Sequence, residues 1–279
     1  MGEREYSERL RLAGAVTEPA IRQAVRELAV LPGSVGLDAG CGAGNRTLRL
    51  AEAAGLEGAV VRIDISLENL AAANSLAAAS PFSGQVRFVQ GDLLRLPFRC
   101  HAFDWLWCVD TLWPVLVAEA PTAALRELAR VVRPGGTVAV LYWSGHCLLP
   151  GFHGLEARLN AAYAAHLPYL ADVPPHLHFL RALGWLRAAG LKHPVARTFV
   201  AEFQAPLSRE LREGVAFCLS MLWENLEGRV STEDWEAYCR LCHPDSNEFI
   251  LDNPDYYGFV TYTLFRAEVP TSGATIIDK

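Results

Sequence analysis

Three glycines at alternate positions, Gly40, Gly42 and Gly44, separate an apolar run ending in Asp38 from a stretch of helix-forming composition, Thr47 to Ala54. Glycine lets the backbone take positive φ and lets another molecule approach where a Cβ would collide. A helix that follows such a turn offers unpaired N–H groups at its start. The segment Val35 to Arg49, VGLDAGCGAGNRTLR, therefore predicts strand, tight turn and helix, with a nucleotide-like ligand at the turn.

The spacing narrows the ligand. A dinucleotide fingerprint, G-x-G-x-x-G, needs its third glycine at position 45, and Asn45 stands there. Downstream, Val60 to Asp64 (VVRID) is a buried-type strand ending in an acid, where a carboxylate can accept both hydroxyls of a ribose. Val86 to Asp92 (VRFVQGD) is a second such run, Phe103 to Asp110 (FDWLWCVD) a third, and Leu128 to Trp143 (LARVVRPGGTVAVLYW) reads as helix end, R-P-G-G turn and strand. Between them the Ala-rich Leu67 to Ala79 reads as a closely packed helix, with Ser66 as N-cap and Asn69 at its third position. This β-α-β-α rhythm predicts a parallel sheet with helices on both faces and a ligand at the carboxyl ends of the strands.

In that order, D-x-G-x-G-x-G from Asp38 to Gly44, the acids Asp64 and Asp92, the Phe-Asp start at Phe103 and the R-P-G-G turn resemble class I S-adenosyl-L-methionine (SAM) dependent methyltransferases of the small-molecule type. The resemblance implies a doubly wound, mostly parallel seven-stranded α/β sheet of order 3-2-1-4-5-7-6, its seventh strand antiparallel, with helical cap insertions. It implies SAM as cofactor. The glycine loop, with Asp38, Gly40, Cys41, Gly42 and Gly44, would pack on its methionine part, Asp64 would accept both ribose hydroxyls and Asp92 would accept from the adenine amino group, with Ile65, Leu93 and Val109 also binding the cofactor. Arg46 is given no role, as a charge on a solvated helix face.

The expected organisation follows. Residues 1–30 form a helical segment, broken near Glu18-Pro19, that is either a lid on the cofactor or a helix packed on the sheet edge. Residues 31–143 are the SAM-binding core, 144–176 a cap insertion carrying the helical GLEARLNAAYAAH, 177–205 a continuation of the core, 206–256 a second cap insertion, and 257–279 the last strand and a frayed tail.

Methyl transfer from a sulfonium is an in-line displacement that gains much from alignment alone. A hydroxyl or acidic-carbon acceptor also profits from a base near neutral pKa, and His146 and His153, following the fifth strand, are the candidates, although each taken alone reads more readily as a partly exposed loop histidine. His166, His176 and His178 are weaker ones. Trp113, Tyr142 and Trp143 are expected at the substrate pocket, or else as core. The cap aromatics Trp185, Phe217, Trp223, Trp235, Tyr256 and Tyr257 suggest an apolar acceptor.

Composition excludes several classes. With 25 Lys and Arg against 31 Asp and Glu, a net charge of −6 and no basic cluster, the footprint of a nucleic-acid binder is missing. The charged start MGEREYSERLRL has no apolar leader and no stretch is long enough to span a membrane, so a cytoplasmic location is expected. The seven cysteines are odd in number and scattered, as suits reduced, mostly buried thiols. Cys239-Arg240-Leu241-Cys242-His243 spells a c-type haem attachment motif and is taken as a chance occurrence; no metal is expected. The expected function is methylation of an oxygen or carbon of a small, fairly apolar metabolite such as a phenol, quinone precursor or polyketide-like compound. The alternatives are a non-catalytic SAM-binding protein and a nicotinamide-dependent oxidoreductase, the latter disfavoured by Asn45. Oligomeric state is left open.

Overall fold

The computed structural model describes residues 3–42, 46–78, 80–112, 121–167, 171 and 173–271. In chain order its elements are α1 (Glu3–Leu28), β1 (Val35–Ala39), α2 (Thr47–Ala54), β2 (Ala59–Asp64), α3 (Leu67–Ala78), β3 (Val86–Gln90), β4 (Phe103–Val109), α4 (Pro121–Val131), β5 (Val132–Cys147), α5 (His153–His166), α6 (Ala182–Ala188), β6 (Lys192–Gln204), α7 (Arg209–Trp223), α8 (Thr232–Cys242) and β7 (Tyr257–Glu268).

The short apolar runs became the sheet centre. β1 pairs in parallel with β2 and with β4, β2 with β3, and β4 with β5. Leu37, Ala39, Val60, Ile63, Leu106 and Trp107 are fully buried, as strands covered on both faces must be. The seven-stranded order is β3-β2-β1-β4-β5-β7-β6, as the resemblance implied. β7 runs against both neighbours. On β5, Gly135 donates to Val269 and Ser144 meets Thr261; on β6, Thr198 faces Thr263 and Ala205 donates to Tyr256, so residue numbers fall along β7 as they rise along its partners.

Two expectations are corrected. α1 does not break at Glu18-Pro19 but runs through it. Proline removes one backbone donor and crowds the carbonyl four residues back; here Val16, Thr17, Ala20, Ile21 and Ala24 are buried on both sides of it, and their packing holds the helix. Nor does the R-P-G-G segment separate α4 from the fifth strand: β5 begins at Val132, and Arg133 to Gly136 form an irregularity inside it, with Gly135 at φ +77 and the register to β4 jumping from Val132 opposite Phe103 to Thr137 opposite Trp105. β5 continues to Cys147.

The chain divides into two compact units. The larger comprises Ile21–Trp143, Pro174–Phe199 and Tyr262–Lys279; the smaller comprises Met1–Ala20, Ser144–Val173 and Val200–Thr261. The smaller unit is built from α5, α7 and α8 around Leu159, Val215, Cys218, Leu219 and Trp223, all fully buried. A Cβ on Gly214 of α7 would stand 2.6 Å from the Leu12 carbonyl oxygen of α1, so glycine there permits the close crossing of the two helices.

Candidate cofactor site

The glycine turn after β1 takes its shape from three constraints. Gly40 has φ +73, and a Cβ on it would lie 2.4 Å from the Thr111 side chain, so only glycine fits. Its N–H and that of Cys41 both donate to the Ile63 carbonyl, at 2.8 and 3.2 Å, which ties the turn to β2. Gly42 has φ +53, and a Cβ on it would meet no described atom within 4 Å. Among the described residues the turn is packed shut at its first glycine and open at its second. Gly44 and Asn45 lie outside the described residues.

Asp38, at the end of β1, is buried and accepts a short hydrogen bond from Thr47, the first residue of α2. Burial pushes its carboxyl above the ordinary value, while Arg62, Thr47 and Arg46 pull it back. Arg62 stands opposite Asp38 in the β1–β2 register and opposite Phe88 in β2–β3, so the three share one face. Its side chain is fully buried, with the guanidinium 5.2 Å from the Phe88 ring centre and one bond, of 3.3 Å, from Nη1 to the Ala73 carbonyl; Nε and Nη2 find no partner among the described residues. Burial likewise raises the Cys41 thiol, to about 12, so it is no nucleophile near neutrality.

Asp64, at the end of β2, is also buried. Its Oδ2 accepts from Gly42 N at 2.9 Å, and its Oδ1 accepts from Ser66 N at 2.9 Å and Asn69 Nδ2 at 3.5 Å. Ser66 in turn caps α3, its Oγ accepting from Asn69 N at 3.2 Å, as the sequence predicted. Ile65 beside it is exposed. Asp92 is exposed, its Oδ1 accepting from Leu94 N at 2.9 Å, and Leu93 is half-buried; Val109, at the end of β4, is buried.

Sequence reasoning missed the most connected group. Asp110, just past β4, adopts φ +49, and among its described partners its carboxylate accepts from Trp143 N (Oδ1, 3.0 Å), from Arg46 Nη1 (Oδ2, 3.1 Å) and from the Tyr262 hydroxyl (Oδ2, 2.8 Å). Arg46 Nη2 also donates to the Tyr262 oxygen at 2.8 Å, and the guanidinium lies 5.3 Å from that ring's centre. Burial alone would lower the Arg46 pKa, but Tyr262 and Asp110 raise it further, so this cation is permanent. Arg46 is thus a tie between the glycine turn, β4 and β7, and no solvated helix-face charge. The one sequence hint was an acid directly after a buried strand.

Of the expected pocket residues, Trp113 lies outside the described residues. Tyr142 is buried in the larger unit, its hydroxyl donating to the Leu112 carbonyl at 3.2 Å and its ring 5.2 Å from that of Phe179. Trp143 is half-buried, 6.0 Å from the Tyr262 ring.

The two histidines belong to the smaller unit and differ sharply. His153 is exposed at the start of α5. His146, near the end of β5, is half-buried; its Nε2 lies 3.0 Å from Asn160 Oδ1 of α5, which also receives the Trp223 indole N–H at 3.0 Å. Burial lowers its pKa, against the smaller opposing influences of Asn160 and Glu156. Among the weaker candidates, His166 contacts the Ala162 carbonyl through Nδ1, and His178 Nδ1 accepts from Leu180 N. In the C-x-x-C-H segment Cys242 is buried while His243 is exposed, and no group of three or more His, Cys, Asp or Glu among the described residues could hold a metal ion. Nor is any described helix long and apolar enough to cross a membrane.

Residues 37–140, which contain the glycine turn and the acids Asp38, Asp64, Asp92 and Asp110, match a family model described as a methyltransferase domain. The chain carries a class I SAM-dependent methyltransferase domain, and SAM is the cofactor of that class. Its relatives include demethylmenaquinone methyltransferases: that of Bacillus cereus (strain ATCC 10987 / NRS 248) is 35% identical over 120 residues, 43% of this chain and 49% of the relative. That of Desulfitobacterium hafniense (strain Y51) is 30% identical over 131 residues, 47% of this chain and 50% of the relative. The chain thus spans about half the length of the relatives it matches. In fold it is similar to a SAM dependent methyltransferase from Aquifex aeolicus (TM-score 0.50, 18% identity, 69% of this chain and 89% of that one). It is similar also to the [4+2]-cyclase SpnF (TM-score 0.53, 24% identity, 90% and 81%).

Proposed function

We propose that this chain transfers a methyl group from SAM to an oxygen or carbon of a small, fairly apolar metabolite. The observation that carries the proposal is the open face at Gly42 beside the Asp64 carboxylate: a glycine whose missing side chain leaves room, next to an acid at a strand end, is the cradle a nucleoside cofactor requires. Asp38, Gly40, Cys41, Gly42 and Gly44 would hold the methionine part, Asp64 and Ile65 the ribose, Asp92 and Leu93 the adenine, with Val109 behind them. Asp64 has about four acceptor positions and three are in use, so receiving both ribose hydroxyls requires Gly42 N–H or the Asn69 amide to let go. Bound there, SAM supplies an electrophilic methyl on a positively charged sulfur, and an O–H or C–H acceptor then has a proton to lose. His146 and His153 are the proposed receivers of that proton, and the partner-bound setting of His146 favours it over exposed His153.

For the acceptor, the demethylmenaquinone methyltransferases among the relatives point to a quinone-type or phenolic ring, with Trp113, Tyr142 and Trp143 as proposed pocket residues and a cytoplasmic, small-molecule setting. A second outcome has a specific motive. SpnF bears the name of a cyclase on this fold, so SAM binding without methyl transfer is the rival. Calorimetric titration with SAM, its demethylated product and NAD decides the cofactor: binding of the first two and not of NAD is expected, and binding of NAD alone would refute the proposal. Mass spectrometry of reduced quinones and phenols incubated with SAM then decides the chemistry, since no methylated product from any acceptor favours the rival.

A further inference from the structure

The parallel strands β1, β4 and β5 begin at the end of the sheet away from the glycine turn. A cavity of about 340 Å³ lies there, bounded by the chain leading into β1, the first residues of β4 and the irregular Arg133 to Gly136 stretch of β5. That volume falls within the range of small-molecule sites. Leu28, Leu31 and Pro32 give it an apolar wall, with Leu31 66% exposed. Trp105 lines it as well and is held in place twice. A Cβ at position 36 would stand 2.1 Å from its ring, so glycine there makes room for the indole, and its Nε1 donates to Ser34 Oγ at 2.9 Å. Arg133 supplies the charge. Its Nε donates to Asp104 Oδ1 at 2.6 Å, and Asp104 Oδ2 accepts from Val35 N at 2.7 Å, so the guanidinium is moored along one edge. Nη1 and Nη2 have no partner among the described residues, and the side chain is half-exposed.

We propose that this cavity is a second ligand site, for a small organic acid whose carboxylate pairs end-on with Arg133 and whose apolar body lies along Leu28, Leu31 and Pro32. A carboxylate offers two oxygens side by side, which matches the pair of donors at the end of a guanidinium. Asp104 cannot fill that role, because one of its oxygens is taken by Nε and the other by the Val35 amide. The mooring at Nε also removes much of the rotamer freedom that an arginine otherwise loses on binding, so the donor pair is preorganised. A neutral apolar ligand would desolvate the Nη groups without pairing them, and a wholly polar anion would leave the exposed Leu31 uncovered; together the two features select an acid with an apolar body. The site does not rest on the proposed methyl transfer. β1 is five residues long, with the cavity before its first residue and the glycine turn beyond its last.

NMR of the full chain with nitrogen-labelled tryptophan reads the site locally, with Trp105→Phe to assign the Trp105 indole signal. Titrated with cinnamate, that signal should move and saturate at millimolar concentration or below; a signal that stays fixed would overturn the proposal. Cinnamamide, the same body without the charge, should bind at least about tenfold more weakly, and equal affinity would show that no carboxylate is read. Arg133→Gln should weaken cinnamate binding by at least about tenfold as well. Should that variant not fold, Leu31→Glu decides alone. The position is exposed, so the chain tolerates the change, and it puts a negative charge on the apolar wall, so cinnamate binding should be lost. Undiminished binding by Leu31→Glu would place the acid elsewhere and sink the site.

Discussion

The strand ends of the larger unit and the helical core of the smaller one both bury acids, and they do so for opposite ends. Asp64 accepts from Gly42, Ser66 and Asn69, all within two turns that flank one strand, and beside it the chain leaves an open face. Glu156 and Asp234 are buried too, yet Glu156 accepts from Leu148 N and Leu149 N, and Asp234 takes a two-pronged bond from Arg158 76 residues away. The first group shapes backbone around a vacancy that a ligand can fill; the second closes an interior. Substitutions in the first should therefore cost binding, and in the second stability.

The strongest break is Gly42→Val. A branched side chain at φ +53 costs about 1–2 kcal/mol of backbone strain and points into the open face, so all measurable SAM binding should vanish while the chain remains folded. Calorimetry that finds normal affinity would show the loop is misassigned. Glu156→Leu comes next: it strands two buried N–H groups at about 1–3 kcal/mol each, so denaturant unfolding should report a loss of roughly 2–6 kcal/mol. A stable Glu156→Leu protein would mean that water reaches Leu148 and Leu149.

Asp64→Ala should weaken SAM binding by about 1.5–3 kcal/mol, the range for hydrogen bonds to a charged group, with a smaller effect on folding. Equal losses of affinity and stability would erase the contrast between the units. Tyr262→Phe removes one donor from Asp110 and should lower stability by about 0.5–1.5 kcal/mol, read from the same unfolding curves.

The smallest effect concerns acid. Burial lowers the His146 pKa, so between that value and the ordinary 6.5 the unfolded chain binds the proton better. Stability contributed by the neutral ring is present above 6.5 and falls as the pH drops through that window toward the folded value. His146→Gln should flatten this part of the stability profile, and a profile identical to wild type would show that the ring is better solvated than its packing indicates.

The contrast between the units also explains what the sequence disclosed. A strand that must turn into a helix under a ligand needs glycine at stated offsets and acids at strand ends, all within a few residues, so Asp38, Gly40, Gly42 and Asp64 could be found by reading along the chain. Sheet order followed from family resemblance. Arg46 could not be found that way, because its partners Asp110 and Tyr262 lie 64 and 216 residues downstream, and a lone arginine before a helix is indistinguishable from a solvated one. The same holds for Asn160, whose contacts include an indole 63 residues away. Pro19 misled because proline's local penalty is legible while the burial that outweighs it, at Val16, Ala20 and Ile21, is a tertiary fact.

The three-fold acceptance at Asp110 carries a consequence for how such a chain can change over generations. One carboxylate accepts from the Trp143 amide, the Arg46 cation and the Tyr262 hydroxyl together, so a replacement at 110 removes a hydrogen bond from groups on three other segments at once. Drift at this point is admissible only as a concerted exchange. Positions 46, 110 and 262 should covary among descendants as a set, with arginine at 46 surviving only in lineages that keep an acid at 110.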